Sequence, residues 1–212
     1  KAGKKLFRKS IKVIGAGRTD TGVHAKAQIA NFKVDSSLPL DNIRNGLNSF
    51  LPRDISIVSL EEAPLNFHSR FKAKSKLYKY TILNRKARSP LLESHSLFIP
   101  HNLDIGAMKK AAKYLTGTKD FKSFQKTDKK NRASVRTVNK IDIAVNPPLI
   151  EIYIHADGFL YNMARNIVGT LLDVGRNRIP SAKVKEILSK RYRHLAGQTA
   201  SAKGLCLEKI FY

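Results

Sequence analysis

Residues 15–25 read GAGRTDTGVHA, and Ile11, Val13 and Ile14 lead into them like a short buried strand. A strand that empties into Gly-x-Gly suggests a dinucleotide-binding turn, whose third glycine would stand at position 20. Asp20 stands there instead. A carboxylate at that point repels a pyrophosphate. This excludes a nucleotide cofactor. The two glycines instead allow a sharp turn and the close approach of a ligand. What remains is a tight loop carrying Arg18, Asp20 and His24, and the segments around it decide the architecture.

Working outward, IANFKV (29–34) and DISIVSL (54–60) read as strands. Between them, LDNIRNGLNSFLP (40–52) puts Ile43, Leu47, Phe50 and Leu51 on one helical face and stops at Pro52. FKAKSKLYKYTIL (71–83) alternates with period two: Lys74, Lys76, Tyr78, Tyr80 and Ile82 on one side, Leu77, Thr81 and Leu83 on the other. Residues 84–101 hold two prolines and read as a crossover between halves. A similar order follows. LDIGAMKKAAKYLTG (103–117) is a helix with a stripe of Ile105, Met108, Ala112 and Leu115, closed by Gly117. Residues 118–134 are Lys-rich and read as a mobile loop. KIDIAVN and LIEIYIHADG alternate as antiparallel strands around Asn146-Pro147-Pro148. FLYNMARNIVGTLLDVG (159–175) is apolar nearly all round and reads as a buried helix. SAKVKEILSKR is a short amphipathic helix with Ser181 as its N-cap, and GLCLEKIFY closes the chain as a strand. Strands mixed with helices and joined partly by hairpins predict an α+β fold with a largely antiparallel sheet.

The chain has 212 residues, 42% of them hydrophobic, enough for one large domain or two small ones. Forty Lys and Arg against sixteen Asp and Glu give a net charge of +24. Self-repulsion of that size asks for a polyanionic partner, nucleic acid before an anionic membrane surface. No apolar run approaches the length of a spanning helix. The single cysteine, Cys206, excludes an internal disulfide and a Cys-built zinc site, and reads as a small core residue in a reducing, cytoplasmic setting. Lys1 to Lys12 is basic without an apolar stretch behind it, unlike a signal peptide. The chain opens without Met directly before a strand-like segment, so a preceding N-terminal piece is expected.

A lone loop Asp is more often a turn former or a helix N-cap than a catalyst. Arg18 two residues away, Gly22 and the cationic field shift the balance for Asp20. A carboxylate among guanidinium groups is favoured in its charged form and can act as a nucleophile toward a sugar or base. The six histidines, at 24, 68, 95, 101, 155 and 194, lack metal-ligand spacing. His24 therefore reads as a packing or hydrogen-bonding residue, and no metal is expected. Tyr78 and Tyr80, interleaved with lysines, fit a half-buried strand with a basic edge or a base-stacking platform equally well. Arg165 sits in the most apolar helix and needs an anion or a route to the surface. Asp20 is one candidate partner, with Asp157 and Asp173 nearer in sequence. The basic clusters Lys72–Arg88 and Lys119–Arg136 favour contact with a phosphate backbone without choosing RNA over DNA.

The loop GAGRTDTGVHAKAQIANF resembles the signature of the tRNA pseudouridine synthase A family. Four further stretches agree in order: NFHSRFKAKSKLYKYTI (66–82), TGTKDFKSFQKTD with VRTV (116–138), DGFLYNMARNIVGTLLDVG (157–175) and TASAKGLCLEKIFY (199–212). The resemblance implies two similar α+β halves, residues 1–95 and 96–212, whose strands join in a mixed, mostly antiparallel sheet flanked by helices, with the active-site cleft between them. It implies isomerisation of uridine to pseudouridine in the tRNA anticodon stem-loop at positions 38, 39 and/or 40, without a cofactor, by a homodimer. Carried over by motif, Asp20 matches the catalytic aspartate, and Arg18 the arginine that displaces the target base. Tyr78 matches the tyrosine that packs on the uracil, Arg165 the partner of the aspartate, and Leu205 an apolar residue of the uracil pocket. Family members open with a strand and helix carrying YDGT…GWQ…Q, which this chain lacks; Ser201, Ala164 and Asn177 replace a usual proline, valine and glycine.

Charge and aromatics alone fit a non-catalytic RNA-binding protein or RNA chaperone, or a ribosome-associated basic protein. Neither gives a reason for Arg18, Asp20 and Gly22 to share one loop with a buried Arg165 elsewhere.

Overall fold

The computed structural model describes residues 1–126 and 133–212. In chain order the first elements are α1 (Ala2–Phe7), β1 (Ile14–Gly15), β2 (His24–Ala25), β3 (Ala30–Asn31), α2 (Leu40–Phe50), β4 (Ser75–Asn84) and β5 (Leu97–Ile99). There follow α3 (Ile105–Tyr114), β6 (Gly117–Asp120), β7 (Val135–Asn146), β8 (Leu149–Ala156), α4 (Met163–Gly175), α5 (Lys183–Lys190) and β9 (Leu205–Phe211). They fall into two compact units, Lys1–Gly17 with Ile29–Lys72, and Arg18–Gln28 with Ala73–Tyr212.

In the first unit, β1 and β3 pair antiparallel, Ile14 opposite Asn31. Buried Ser69 secures the ribbon. Its hydroxyl donates to the Ile14 carbonyl at 2.7 Å, and its N–H donates to Asn31 Oδ1 at 3.0 Å. Helix α2 packs on α1 and buries Ile43 and Leu47, while Phe50 faces solvent. Three expectations are corrected here. The segment entering the Gly-x-Gly turn is not a buried strand, because Val13 is 62% exposed. The strand expected over 29–34 shrinks to two residues. Residues 54–60 form no strand. There the Asn48 side chain clasps the Ile57 backbone, donating to its carbonyl at 2.9 Å and accepting from its N–H at 2.7 Å. An amide side chain thus takes the part that a neighbouring strand would have played.

The second unit is built on a seven-stranded sheet in the order β2-β9-β4-β8-β7-β6, with β5 beside the far part of β4. The pairs β9–β4, β4–β8, β8–β7 and β7–β6 are antiparallel; β2–β9 and β4–β5 are parallel. The fold is α+β, as the patterning predicts. Alternate residues of the central strands (Tyr80, Ile82, Ile152, Ile154, Val138) are buried in one core with Met108, Leu115, Ile167 and Leu171 of the helical side. On β9, Tyr78 lies opposite Leu207 and Leu77 opposite Lys209, so Glu208 is an extra residue. This bulge shifts the strand's parity and brings Ile210 into the core with Leu205 and Leu207. The sheet's other face carries ion pairs: Lys79 with Glu151 at 2.9 Å and with Glu208 at 3.7 Å, and Lys26 with Glu208 at 3.2 Å.

Five segments differ from the sequence reading. Helix α4 begins at Met163, because Asn162 has φ +61 and breaks the helical run. Helix α3 ends at Tyr114, and Gly117 opens β6 instead of closing the helix. The stretch read as a loop, 118–134, begins inside the edge strand β6, and holds a 3-10 turn at 122–124 with Phe121 and Phe124 buried. Lysines on an edge strand mask its β character in sequence. Residues 127–132 of that stretch lie outside the described residues. Ser181 gives α5 no side-chain cap; its carbonyl accepts from Val184 N–H at 3.3 Å. The 84–101 crossover contains a 3-10 turn and β5.

Candidate active site

The loop that carries Asp20 is shaped by its own turn. Val23 N–H donates to the Asp20 carbonyl at 3.0 Å, and Gly22, at φ +81, takes the turn position that requires positive φ. The chain then becomes β2, pairing His24 with Cys206 and Ala25 with Leu207 on β9, and Lys26 N–H donates to the Leu207 carbonyl at 2.9 Å. The His24 ring stacks on His95 with centroids 4.5 Å apart, and its Nε2 lies 2.7 Å from the Ser94 carbonyl. His24 thus packs and hydrogen-bonds, and holds the loop's far end. Among the described residues, no group of three or more His, Cys, Asp or Glu is placed to hold a metal ion. No helix there is long and apolar enough to cross a membrane.

Arg165 projects from the first turn of α4. Its Nη1 donates to Asp20 Oδ2 at 2.9 Å, and its Nε to the Ala200 carbonyl at 2.7 Å. Asn162 Oδ1 lies 3.4 Å from the same Nη1. The other two candidate partners are otherwise engaged or apart: Asp173 pairs with Arg178 at 3.5 Å, and Asp157 makes no ion pair among the described residues. The Asp20 side chain is 28% exposed and that of Arg165 17%. Only Oδ2 of Asp20 is taken; Oδ1 accepts no hydrogen bond from the described residues. The arrangement presents a carboxylate fixed through one oxygen with lone pairs available on the other.

Tyr78 is half-buried on β4, its ring edge-on to Phe159 at 4.9 Å. Burial, then the charge of Asp20, then Cys206 push its hydroxyl up to about 12, so it is protonated at neutral pH. Tyr80 is fully buried, and its hydroxyl donates to the Ser201 carbonyl at 2.8 Å. The stacking-platform reading is therefore confined to Tyr78. Leu205 lies opposite Tyr80 on β9, 5% exposed. Arg18 is exposed and makes no hydrogen bond or ion pair with the described residues. The structure brings Asp20 and Arg165 together, gives Asp20 electrostatic reach to Tyr78, and leaves Arg18 outside the pair. Sequence reasoning missed Asn162, Phe159 and the Ala200 carbonyl. The signal for Asn162 was its residue type, since Asn tolerates the left-handed conformation that starts a new segment.

A profile of the tRNA pseudouridine synthase family matches residues 2–72 and 111–212. The chain belongs to the tRNA pseudouridine synthase family. It is 45% identical over 209 residues to tRNA pseudouridine synthase A 2 of Clostridium perfringens, covering 99% of this chain and 86% of that protein. It is 46% identical over 212 residues to tRNA pseudouridine synthase A of a Thermoanaerobacter species (strain X514), covering 100% and 87%. It is 46% identical over 202 residues to the protein of that name from Clostridium acetobutylicum, covering 95% and 83%. As a member of the tRNA pseudouridine synthase family the chain is an isomerase. One cationic feature lies apart from Asp20. Lys113, Lys119, Lys185 and Arg191 line an open concavity of about 730 Å3 with Tyr114 and Asp120. Arg191 pairs with Asp120 at 3.0 Å and Lys185 sits 4.5 Å over the Tyr114 ring. The three lysines have no carboxylate within ion-pair distance among the described residues.

Proposed function

We propose that this chain isomerises uridine to pseudouridine in the tRNA anticodon stem-loop, at positions 38, 39 and/or 40, with Asp20 as its catalytic carboxylate. The observation that carries the reading is the 2.9 Å contact from Arg165 Nη1 to Asp20 Oδ2, with Oδ1 left open. A base stacked in a stem is out of reach, so it must be extruded against an unstacking cost of a few kcal/mol. Cationic contacts to phosphates offset that cost, and Arg18, exposed beside Asp20, fills the vacated position. Tyr78 packs on the uracil, and Leu205 shapes the apolar wall.

The C1′–N1 bond then breaks and the uracil turns. C5 joins C1′, and the proton lost from C5 is balanced by one gained at N1, so nothing is added or removed. Oδ1 of Asp20 serves either as the nucleophile at C1′, its ester bond breaking as C5 attacks, or as the base that takes the C2′ proton and returns it to C2′ once C5 has joined C1′. Deuterium at C2′ separates these routes, because only the second breaks that bond. Arg165 holds the carboxylate aimed in both. We place the enzyme in the cytoplasm as a cofactor-free homodimer, on the strength of the family resemblance.

Asp20→Asn tests the assignment. The amide keeps an oxygen for Arg165 but loses the negative charge. Pseudouridine formation in mapped tRNA should fall by roughly 10⁴-fold or more while tRNA affinity stays within a few-fold. Product formed at near wild-type rate would end the assignment. A wild-type protein that binds tRNA and forms no pseudouridine would be a non-catalytic basic RNA-binding protein.

A further inference from the structure

We infer that Asn166, Thr199 and Arg193 form a clamp that positions the Arg165–Asp20 pair by fixing the Ala200 carbonyl. The inference rests on the reading of Asp20 as the catalytic carboxylate. It starts from a polar residue that the apolar helix does not need. Asn166 is completely buried in α4. Its Nδ2 donates to the Phe124 carbonyl at 2.6 Å, and its Oδ1 accepts from Thr199 Oγ1 at 2.7 Å and from Arg193 Nη2 at 2.9 Å. Arg193 also donates to Thr199 Oγ1 and to the Ala196 carbonyl, each at 3.1 Å. It has no carboxylate partner among the described residues. A half-buried guanidinium satisfied only by neutral acceptors is held for its geometry, since ion pairing gives it nothing here.

These bonds lash residues 196–201 to α4. Gly197 N–H donates to Thr170 Oγ1 at 2.9 Å, and Ala200 N–H donates to the Arg165 carbonyl at 3.2 Å. The Tyr80 hydroxyl, from the sheet, holds the next carbonyl, that of Ser201, at 2.8 Å. The Ala200 carbonyl is thereby fixed on both sides, and it is the acceptor for Arg165 Nε at 2.7 Å. A guanidinium is planar. With Nε on Ala200 and Nη1 on Asp20, its plane and its reach are both set. A shift of the strap therefore turns the guanidinium and moves the carboxylate. Geometric errors of this size at a reacting group cost rate rather than binding. Thr199, adjacent to Ala200, is the point where all three clamp residues meet.

The test is a kinetic cycle on full-length tRNA with Thr199→Val, Thr199→Ser and Arg165→Lys. Thr199→Val should lower kcat about tenfold with KM within twofold, and Thr199→Ser, which restores the hydroxyl, should return kcat to within about threefold of wild type. In the Arg165→Lys background, which lacks Nε and its bond to Ala200, Thr199→Val should have less than a twofold further effect. The same tenfold factor in both backgrounds overturns the proposal, since that is what general loosening would give. An unchanged kcat in Thr199→Val also overturns it. Should Thr199→Val fail to fold, Arg193→Lys, which keeps the charge but loses the fork, replaces it in the cycle with the same expectations. Solvent exchange of the Arg165 Nε–H, followed by NMR, gives a readout free of turnover. It should quicken about tenfold in Thr199→Val and return in Thr199→Ser; equal exchange in all three proteins overturns the clamp. A wild-type protein without pseudouridine activity overturns the functional reading instead, and leaves the exchange result to decide the geometry.

Discussion

Tyr78 and Tyr80 stand two residues apart on one strand, yet only the first keeps part of its surface exposed. Both hydroxyls are pushed upward by burial. Tyr80 spends its proton on Ser201, whereas Tyr78 has the charge of Asp20 as a second cause. For Tyr78 the folded value, about 12, lies above the unfolded value near 10. Its contribution to stability is therefore complete below pH 10 and is lost as pH rises through about 12, amounting to about 2–3 kcal/mol. Tyr78→Phe keeps the ring and removes the titration. Its alkaline unfolding midpoint should move upward, and its tyrosinate absorbance step near pH 12 should shrink by one residue. An unmoved midpoint means that the hydroxyl is solvated. At this scale, the need of Arg165 for an anion was legible, because a guanidinium in an apolar run is costly in any fold. Which carboxylate answers it was not, since Asp20 lies 145 residues away and only the tertiary structure brings it there. Asn166 carried a similar signal in the same helix.

Elements were legible where their period was clean. The alternation of 71–83 and of the two strands around Pro147-Pro148 reads directly as β4, β7 and β8, because each buries one face. The strand over 54–60 was misread, since Asn48 meets the Ile57 backbone that a strand would have paired. The β9 bulge left no mark, because one extra residue changes parity and not composition. Helix α4 was legible as buried but not as the seat of the strap. Gly169 is where that shows. A Cβ there would sit 1.7 Å from the Gln198 carbonyl oxygen, a backbone atom with no rotamer to yield. Gly169→Ala must push residues 197–200 off the helix. The expected cost is about 1–3 kcal/mol or more, which lowers Tm by several degrees and reduces kcat alongside. Gly106→Ala, at an exposed position of α3, provides the comparison, since its added Cβ would meet only Asp104 Oδ1, at 3.3 Å. Equal melting of the two variants would refute close strap packing.

At the scale of the whole molecule the charge of +24 is the dominant fact, and it was fully legible. Its placement was not, because a lysine's partners depend on tertiary contacts. On α5, Lys183 and Lys190 share Glu186 as an ion-pair partner, each at 2.7 Å, whereas Lys185 on the same helix leans over Tyr114 toward the concavity. Lys119, on edge strand β6, lies directly opposite Arg136 on β7, a like-charge pairing that is unfavourable without an anion nearby. The concavity stands at the β6 end of the sheet, three strand steps from β4, and Lys119 opposite Arg136 lies further along β7 than Ile141, which is in line with Tyr78, so Lys119 and Tyr78 are roughly 20 Å apart. An RNA seated with its uridine at Tyr78 reaches that distance through a few backbone phosphates. Each phosphate neutralised by a lysine releases counterions, so log affinity falls with log salt by about 0.7–0.9 per contact. Replacing Lys113, Lys119 and Lys185 by Gln should therefore flatten the salt dependence of tRNA binding by about 2–3 in slope. The affinity loss should be large at low salt and vanish at high salt. Because phosphate contacts carry no base information, an unrelated RNA should lose the same factor as tRNA. A slope equal to wild type would mean that these lysines face only solvent, and that the excess charge meets its polyanion elsewhere on the surface.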